Sequence, residues 1–177
     1  MKKLIAVLLS LCLMIGAAAA VAENTPRSIN WSDHESKAAN RQFTNVTGTN
    51  LKMYVPTEFK STDLSDETFM RGTSMVLKSE KNDKVVVNAQ TVPLDMAAFK
   101  ANMEKKGINM SDDLTVNGRA FTQFSVNALG ATSVCFATAN EDGKVQIITF
   151  SAEDFNAYSE QFKLMFASLQ NADAAEN

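Results

Sequence analysis

The 177-residue chain has few of the side chains that enzymes use for covalent or metal chemistry. It contains two cysteines and one histidine, and it has no C-x-x-C pair, P-loop or G-x-G-x-x-G motif. Cys12 lies in the apolar N-terminal segment, so Cys135 is the only cysteine in the rest of the chain. A disulfide within that remainder is excluded. We expect Cys135, in the apolar run SVCFATA, to be a buried and inert thiol.

The single histidine limits acid–base and nucleophilic catalysis. A Ser-His-Asp hydrolase needs only one histidine, but no G-x-S-x-G motif accompanies His34, which lies in a polar segment. Cys135 and His34 are the only thiol–imidazole pair, and the cysteine is predicted to lie in the middle of a strand. We therefore expect no catalytic residues and no enzymatic activity.

The acidic clusters also lack the spacing of metal sites. The DHE sequence at 33–35 places three types of ligand on adjacent residues, which rarely converge on one ion. DLSDE at 63–67 and SDD at 111–113 lack the glycine and the spacing of a calcium-binding loop. These clusters are typical of solvated surface charge, and we expect no metal and no cofactor.

The first 22 residues predict a secretory signal peptide. Lys2 and Lys3 precede an apolar run from Leu4 to Gly16, and an A-x-A cleavage site follows at Ala20–Ala22. An uncleaved anchor is the alternative. Lipoprotein processing at Cys12 is disfavoured, because Leu11 stands where a small residue is required. We expect a bacterial protein that is secreted or extracytoplasmic, with no membrane span after cleavage.

The charge balance argues against nucleic acid as a partner. The net charge is −3, and cleavage after residue 22 changes it to −5 because Lys2 and Lys3 are lost. The remaining lysines are dispersed, so they form no basic patch for nucleic acid or anionic lipid.

The remaining chain divides by composition into an arm, a domain and a tail. Residues 23–42 are polar and predict an N-terminal arm, residues 43–170 predict a single domain, and residues 171–177 predict a polar tail. A chain of this length can bury a core without a disulfide or a metal.

Hydrophobic periodicity within the domain predicts mostly strands. They are expected at 43–47, 50–55, 73–79, 84–92, 113–116, 119–128, 131–139 and 144–150, with a long polar connection at 57–72. Asn117-Gly118 predicts a tight hairpin turn. A helix is expected after an Asp95 N-cap and before Gly107. A second is expected after a capping box at 151–154, with an apolar stripe at Phe155, Tyr158, Phe162, Met165, Phe166 and Leu169.

Three segments carry a resemblance to a known family. LKMYVPTEF, VNGRAFTQF and EQFKLMFASL, in this order of elements, resemble the PsbP-like (Mog/PsbP) superfamily and its secreted bacterial relatives. The resemblance implies a curved antiparallel sheet flanked by helices, an α/β/α sandwich of the α+β class. It also implies a binding role, since members include photosystem extrinsic subunits, a Ran-binding protein and effector-associated chaperones. The signal argues against a Ran partner, and no functional residue of the family maps onto this chain.

We therefore expect a non-catalytic exported module that binds a protein or a cell-envelope component. Trp31, Phe59 and Phe69 are the candidate binding residues, because they are aromatic side chains in polar surroundings. Trp31 has a second interpretation, in which it anchors the arm to the domain. The alternative functions are a small-ligand carrier or weak hydrolase with a pocket under the 57–72 loop, and a structural component without a ligand.

Overall fold

The computed structural model describes residues 27–39, 42–128 and 130–173, and the predicted signal peptide lies outside them. The described chain forms eleven strands and three α-helices. The helices are α1 (Asp66–Met70), α2 (Met96–Lys105) and α3 (Ser159–Ala167). The strands are β1 (Arg27–Ile29), β2 (Phe43–Val46), β3 (Leu51–Tyr54), β4 (Phe59–Ser61), β5 (Thr73–Ser79), β6 (Val86–Val92), β7 (Met110–Val116), β8 (Arg119–Ala128), β9 (Ala131–Ala139), β10 (Val145–Ala152) and β11 (Gln170–Asn171).

The strands form one large and one small sheet. The large sheet has eight strands in the order β1-β7-β8-β9-β10-β6-β5-β4, and the small sheet has the order β11-β3-β2. Neighbouring strands are antiparallel except for β1 and β7, which run parallel. The architecture is thus a sheet-dominated α+β fold with a few helices. The sandwich arrangement stays a prediction.

The residues of the predicted polar arm contribute to the large sheet. Arg27 to Ile29 form its outer strand beside β7, and two short 3-10 turns follow at Trp31–Asp33 and Glu35–Lys37. Ile29 is buried, and Trp31 packs against the main core cluster.

Two hydrophobic clusters use alternate residues of the central strands. In β9, Val134 and Phe136 belong to the main cluster with the apolar residues of α3, whereas Cys135 and Ala137 belong to the second cluster with Phe99 of α2. Successive side chains of a strand point to opposite faces, so the sheet separates the two clusters. Phe136 stacks on Phe166 of α3 with 3.6 Å between ring centroids. The predicted burial of the C-terminal apolar stripe is confirmed, with Tyr158 only partly buried.

Two local predictions are wrong. The 57–72 connection contains β4 and α1, because β4 pairs with β5 from Phe59–Ser79 to Ser61–Leu77. The C-terminal helix does not begin at a Ser151 cap. β10 continues to Ala152 in its pairing with β9, and the Asp154 carboxylate instead accepts a hydrogen bond from Ala157 N at 3.3 Å.

The first predicted helix is confirmed at both ends. The Asp95 side chain accepts a hydrogen bond of 2.8 Å from Ala98 N, which satisfies one of the free N–H groups of the first turn. Gly107 follows the helix with φ +70°, a backbone conformation that favours glycine.

Candidate functional site

The candidate site lies at the tight turn between β7 and β8. Asn117 and Gly118 have φ values of 47° and 82°, as a two-residue hairpin turn of the predicted kind requires. Gly118 is exposed, and a Cβ atom there would meet no atom within 4 Å. The turn therefore leaves open space beside Arg119, the first residue of β8.

The Asn117 side chain holds this turn to two distant segments. Its Oδ1 accepts a hydrogen bond of 2.7 Å from the backbone N–H of Trp31. Its Nδ2 donates to the carbonyl oxygens of Ala167 and Leu169 at 2.9 and 2.8 Å. Its backbone N–H donates to Ile29 O at 2.9 Å. Asn117 thus links the arm, the large sheet and the end of α3.

Arg119 is fixed by neutral oxygen atoms. Its Nη1 donates to Asn50 Oδ1 at 3.1 Å and to Asn171 Oδ1 at 3.0 Å. Its Nη2 donates to the Ala139 carbonyl at 3.2 Å. Burial lowers the pKa of the half-buried guanidinium, and the charge of Glu141 acts in the opposite direction. An arginine still keeps its charge at neutral pH.

Arg119 borders two open depressions. The first, which we call the Arg119 cleft, has a volume of about 450 Å³ and is lined by Asn50, Asn117, Gly118, Arg119, Glu141, Gln170 and Asn171. The second, the helix-side groove, has about 470 Å³ and is lined by Gly118, Arg119, Met96 and Lys100 of α2, and β8 and β9 residues 120–122 and 137–139. Neither is lined by residues 57–72, where the sequence predicted a pocket.

The three aromatic residues that the sequence predicted for binding differ in their exposure and their contacts. Trp31 stacks on Tyr54 at 5.9 Å and meets the Phe43 ring edge-on at 5.7 Å. Phe59 is buried in the main core and contacts Phe162. Phe69, on α1, is 67% exposed. The structure therefore does not bring the three candidates together.

The candidate nucleophile and base also lie apart. Cys135 is buried in the second hydrophobic cluster, beside α2, and burial raises the pKa of its thiol to about 11. His34 lies near Glu160 and Lys163 of α3; its pKa is lowered, first by burial and then by Lys163 and Lys37. Because α3 packs on the face of the sheet opposite Cys135, the two side chains do not form a catalytic pair.

Metal ligands are not gathered in the described residues. No group of three or more His, Cys, Asp or Glu side chains is placed to hold an ion in 27–39, 42–128 and 130–173. Over the same ranges, no helix is both long and apolar enough to span a bilayer.

Sequence reasoning missed Arg119 as a site residue. The Asn117-Gly118 pair predicted the turn. The position of Arg119 directly after that turn was the one local signal that could have indicated a binding residue. Its partners Asn50 and Asn171 are 69 and 52 positions away, so no local pattern connects them.

Comparison with known proteins identifies the fold. No protein-family model matches the chain, and no curated protein matches it by sequence. The chain is similar to the solution structure of cyanobacterial PsbP (CyanoP) from Synechocystis sp. PCC 6803, with a TM-score of 0.51 and 10% identity over 89% of this chain and 98% of that one. A crystal structure from Bacteroides thetaiotaomicron VPI-5482 has a TM-score of 0.46 and 10% identity over 72% and 47%. The chain has a PsbP-like fold.

Proposed function

We propose that the chain is a non-catalytic exported protein that binds another protein or a cell-envelope component through the Arg119 cleft. The observation that carries the proposal is the guanidinium of Arg119, which three neutral oxygens fix at the border of an open polar cleft. Arginine is enriched at binding hot spots because it combines charge with several directed donors. The export step rests on the N-terminal sequence pattern.

The non-catalytic part is supported by the state of the possible reactive groups. A thiol with a raised pKa is a poor nucleophile at neutral pH, and Cys135 is also 6% exposed. Among the residues that the structure describes, the only cysteine, Cys135, lies on the face of the sheet opposite His34. We also propose that α2 and α3 form the outer layers of an α/β/α sandwich. The helices then cover the two faces of the sheet, so a partner binds at the ends of the strands.

The aromatic candidates extend this binding hypothesis in different ways. Phe69 is 67% exposed and its neighbour Met70 is 85% exposed, so α1 offers a second contact surface. Trp31 is partly exposed, and its backbone N–H donates to Asn117, which lines the cleft. Phe59 is buried, so we propose that it supports binding through the fold rather than by contact.

The second candidate function is a small-ligand carrier, with the helix-side groove as its pocket. The groove is about 470 Å³, which is within the range of small-molecule sites. A weak hydrolase is a separate alternative, because His34 lies beside α3 and the groove lies beside α2, on the other face of the sheet. If the purified protein hydrolyses an ester and the activity disappears in His34→Ala, the hydrolase hypothesis replaces the binding hypothesis. If the hydrolysis rate is the same in both proteins, the hydrolase hypothesis is excluded.

Affinity capture tests the proposed function. The tagged full chain should recover the same partner repeatedly from the envelope fraction and medium of the source organism, and Arg119→Gln should lose that partner. Lys60→Gln removes the same charge from an exposed position on β4, at the outer edge of the sheet, and should keep it. Equal recovery by all three proteins would contradict the cleft as the binding site.

A further inference from the structure

The charge state of the Arg119 cleft defines the class of group that it can accept. Arginine has five N–H donors. Three of them are used by Asn50, Asn171 and Ala139, and none of these three acceptors is a carboxylate. A half-buried cation that is held by neutral oxygens keeps its full charge for an incoming anion.

Glu141 limits how much negative charge the cleft can take. It lines the same cleft and receives a weak hydrogen bond of 3.5 Å from Asn50 Nδ2, and its charge acts on Arg119. With one cation and one anion, the cleft can offset one negative charge in contact with Arg119 but not several. A phosphate, with close to two negative charges at neutral pH, is disfavoured relative to a carboxylate.

The other lining groups fit a peptide. Asn50, Gln170 and Asn171 supply side-chain amides, which can both donate to and accept from the amide groups of a backbone. Gln170 and Asn171 also form β11, an outer strand of the small sheet. Extended peptides bind to such sheet edges through main-chain hydrogen bonds.

Resting on the binding role proposed above, we propose that the cleft receives an extended segment of a partner protein that carries a single carboxylate side chain. Arg119 anchors one carboxylate of this segment, and the amides of Asn50, Gln170 and Asn171 bond the neighbouring peptide groups. Glu141 competes with that carboxylate for Arg119, so it weakens binding and favours ligands of low negative charge.

Two synthetic peptides test this inference with the full chain. One is a hexapeptide with a single Glu among Val and Ser residues, and the other has Gln in place of that Glu. Both are acetylated and amidated at their ends, and both carry a neutral dye for fluorescence anisotropy. The Glu peptide should bind more tightly, and its affinity should fall with added salt. Arg119→Gln should weaken it by about 10- to 100-fold, the usual loss for a charge-assisted hydrogen-bonded pair.

Glu141→Gln is the variant that separates binding from folding. Because it removes a competitor and touches only one weak hydrogen bond, it should strengthen Glu-peptide binding by about two- to fivefold. Lys60→Gln is the matched charge control and should leave the affinity unchanged. Equal binding of the two peptides, or weaker binding in Glu141→Gln, would overturn the inference.

The outcomes distinguish this inference from the proposed function. If Arg119→Gln loses the captured partner while the Glu and Gln peptides bind alike, the cleft binds the partner but the carboxylate anchor is wrong. If the Glu peptide binds through Arg119 while capture is the same for all variants, the cleft accepts a peptide carboxylate but the captured partner docks elsewhere.

Discussion

The backbone N–H of Trp31 donates a 2.7 Å hydrogen bond to the side-chain oxygen of Asn117, 86 positions away. The same Asn117 side chain also donates to two carbonyls at the end of α3. One turn residue therefore connects the N-terminal arm, the β7–β8 hairpin of the large sheet and the C-terminal helix, next to the cleft that Arg119 borders. This connection makes the position of the cleft depend on elements from both ends of the described chain.

Asn117→Gly should destabilise the protein by about 2–3 kcal/mol. Glycine keeps the positive φ of the turn but removes three side-chain hydrogen bonds, each worth about 1 kcal/mol. Urea denaturation measures the loss. Asn82→Gly removes one exposed hydrogen bond to Lys84 N and serves as the control, with a cost below about 1 kcal/mol. Equal costs for the two variants would refute the role of Asn117 as a connection.

Trp31 should report whether the arm is docked. It is the only tryptophan, and its ring packs on Phe43 and Tyr54. Trp31→Ala removes both contacts, so we expect the arm at 27–39 to be cleaved faster by protease while the main domain stays folded. In a second variant that keeps Trp31, Tyr54→Leu removes the ring on which Trp31 stacks, so the tryptophan emission should shift to longer wavelength. An emission maximum typical of free tryptophan in the unmodified protein would contradict the docking.

The neutral form of His34 should favour folding. Its pKa in the folded protein lies below the unfolded value of 6.5, first because of burial and then because of Lys163 and Lys37. Between the two pKa values the unfolded state therefore binds more protons than the folded state. The stabilisation from neutral His34 is present above pH 6.5 and is lost as the pH falls toward the pKa of the folded protein. The urea midpoint should decrease on acidification from pH 7.5 to 5.5, and His34→Gln should flatten this change. Identical pH profiles would show that His34 does not contribute.

Cys135 should react slowly with thiol reagents in the folded protein. Burial raises its pKa to about 11, so little thiolate exists at neutral pH, and the side chain is 6% exposed. Labelling should become fast in denaturant. Ser36→Cys, at an exposed position, gives an internal comparison and should react at the rate of a free thiol. Rapid labelling of Cys135 without denaturant would contradict its burial.

Local patterns predicted the individual elements better than their long-range contacts. The strand at β3, the Asn117-Gly118 turn and the Asp95 cap depend on neighbouring residues, and all three are observed, although every residue of β3 is buried rather than every second one. The parallel pairing of β1 with β7 joins segments far apart in sequence, so the arm appeared only as a polar stretch. At the C-terminus, the pairing of Ser151 with Val86 and Ser133 extends β10 and overrides the local capping signal.

The same distinction applies to the candidate site. Aromatic residues in polar surroundings suggested Trp31, Phe59 and Phe69, yet Phe59 fills the core because β4 pairs with β5. The Arg119 cleft is assembled from the β2–β3 turn, the β7–β8 turn, the β9–β10 turn and β11, which meet only in the folded chain. A site made of residues from three turns and one short strand has no periodic or motif signature in the sequence.

Mapping the partner's footprint tests the central claim most directly. The ¹⁵N-labelled full chain is titrated with the captured partner, and amide chemical shifts are followed by NMR. Binding at the Arg119 cleft predicts the largest changes at 117–119, 139–141 and 170–171, and their loss in Arg119→Gln. Changes concentrated instead on α1 around Phe69 and Met70, with the cleft amides unmoved, would contradict the account.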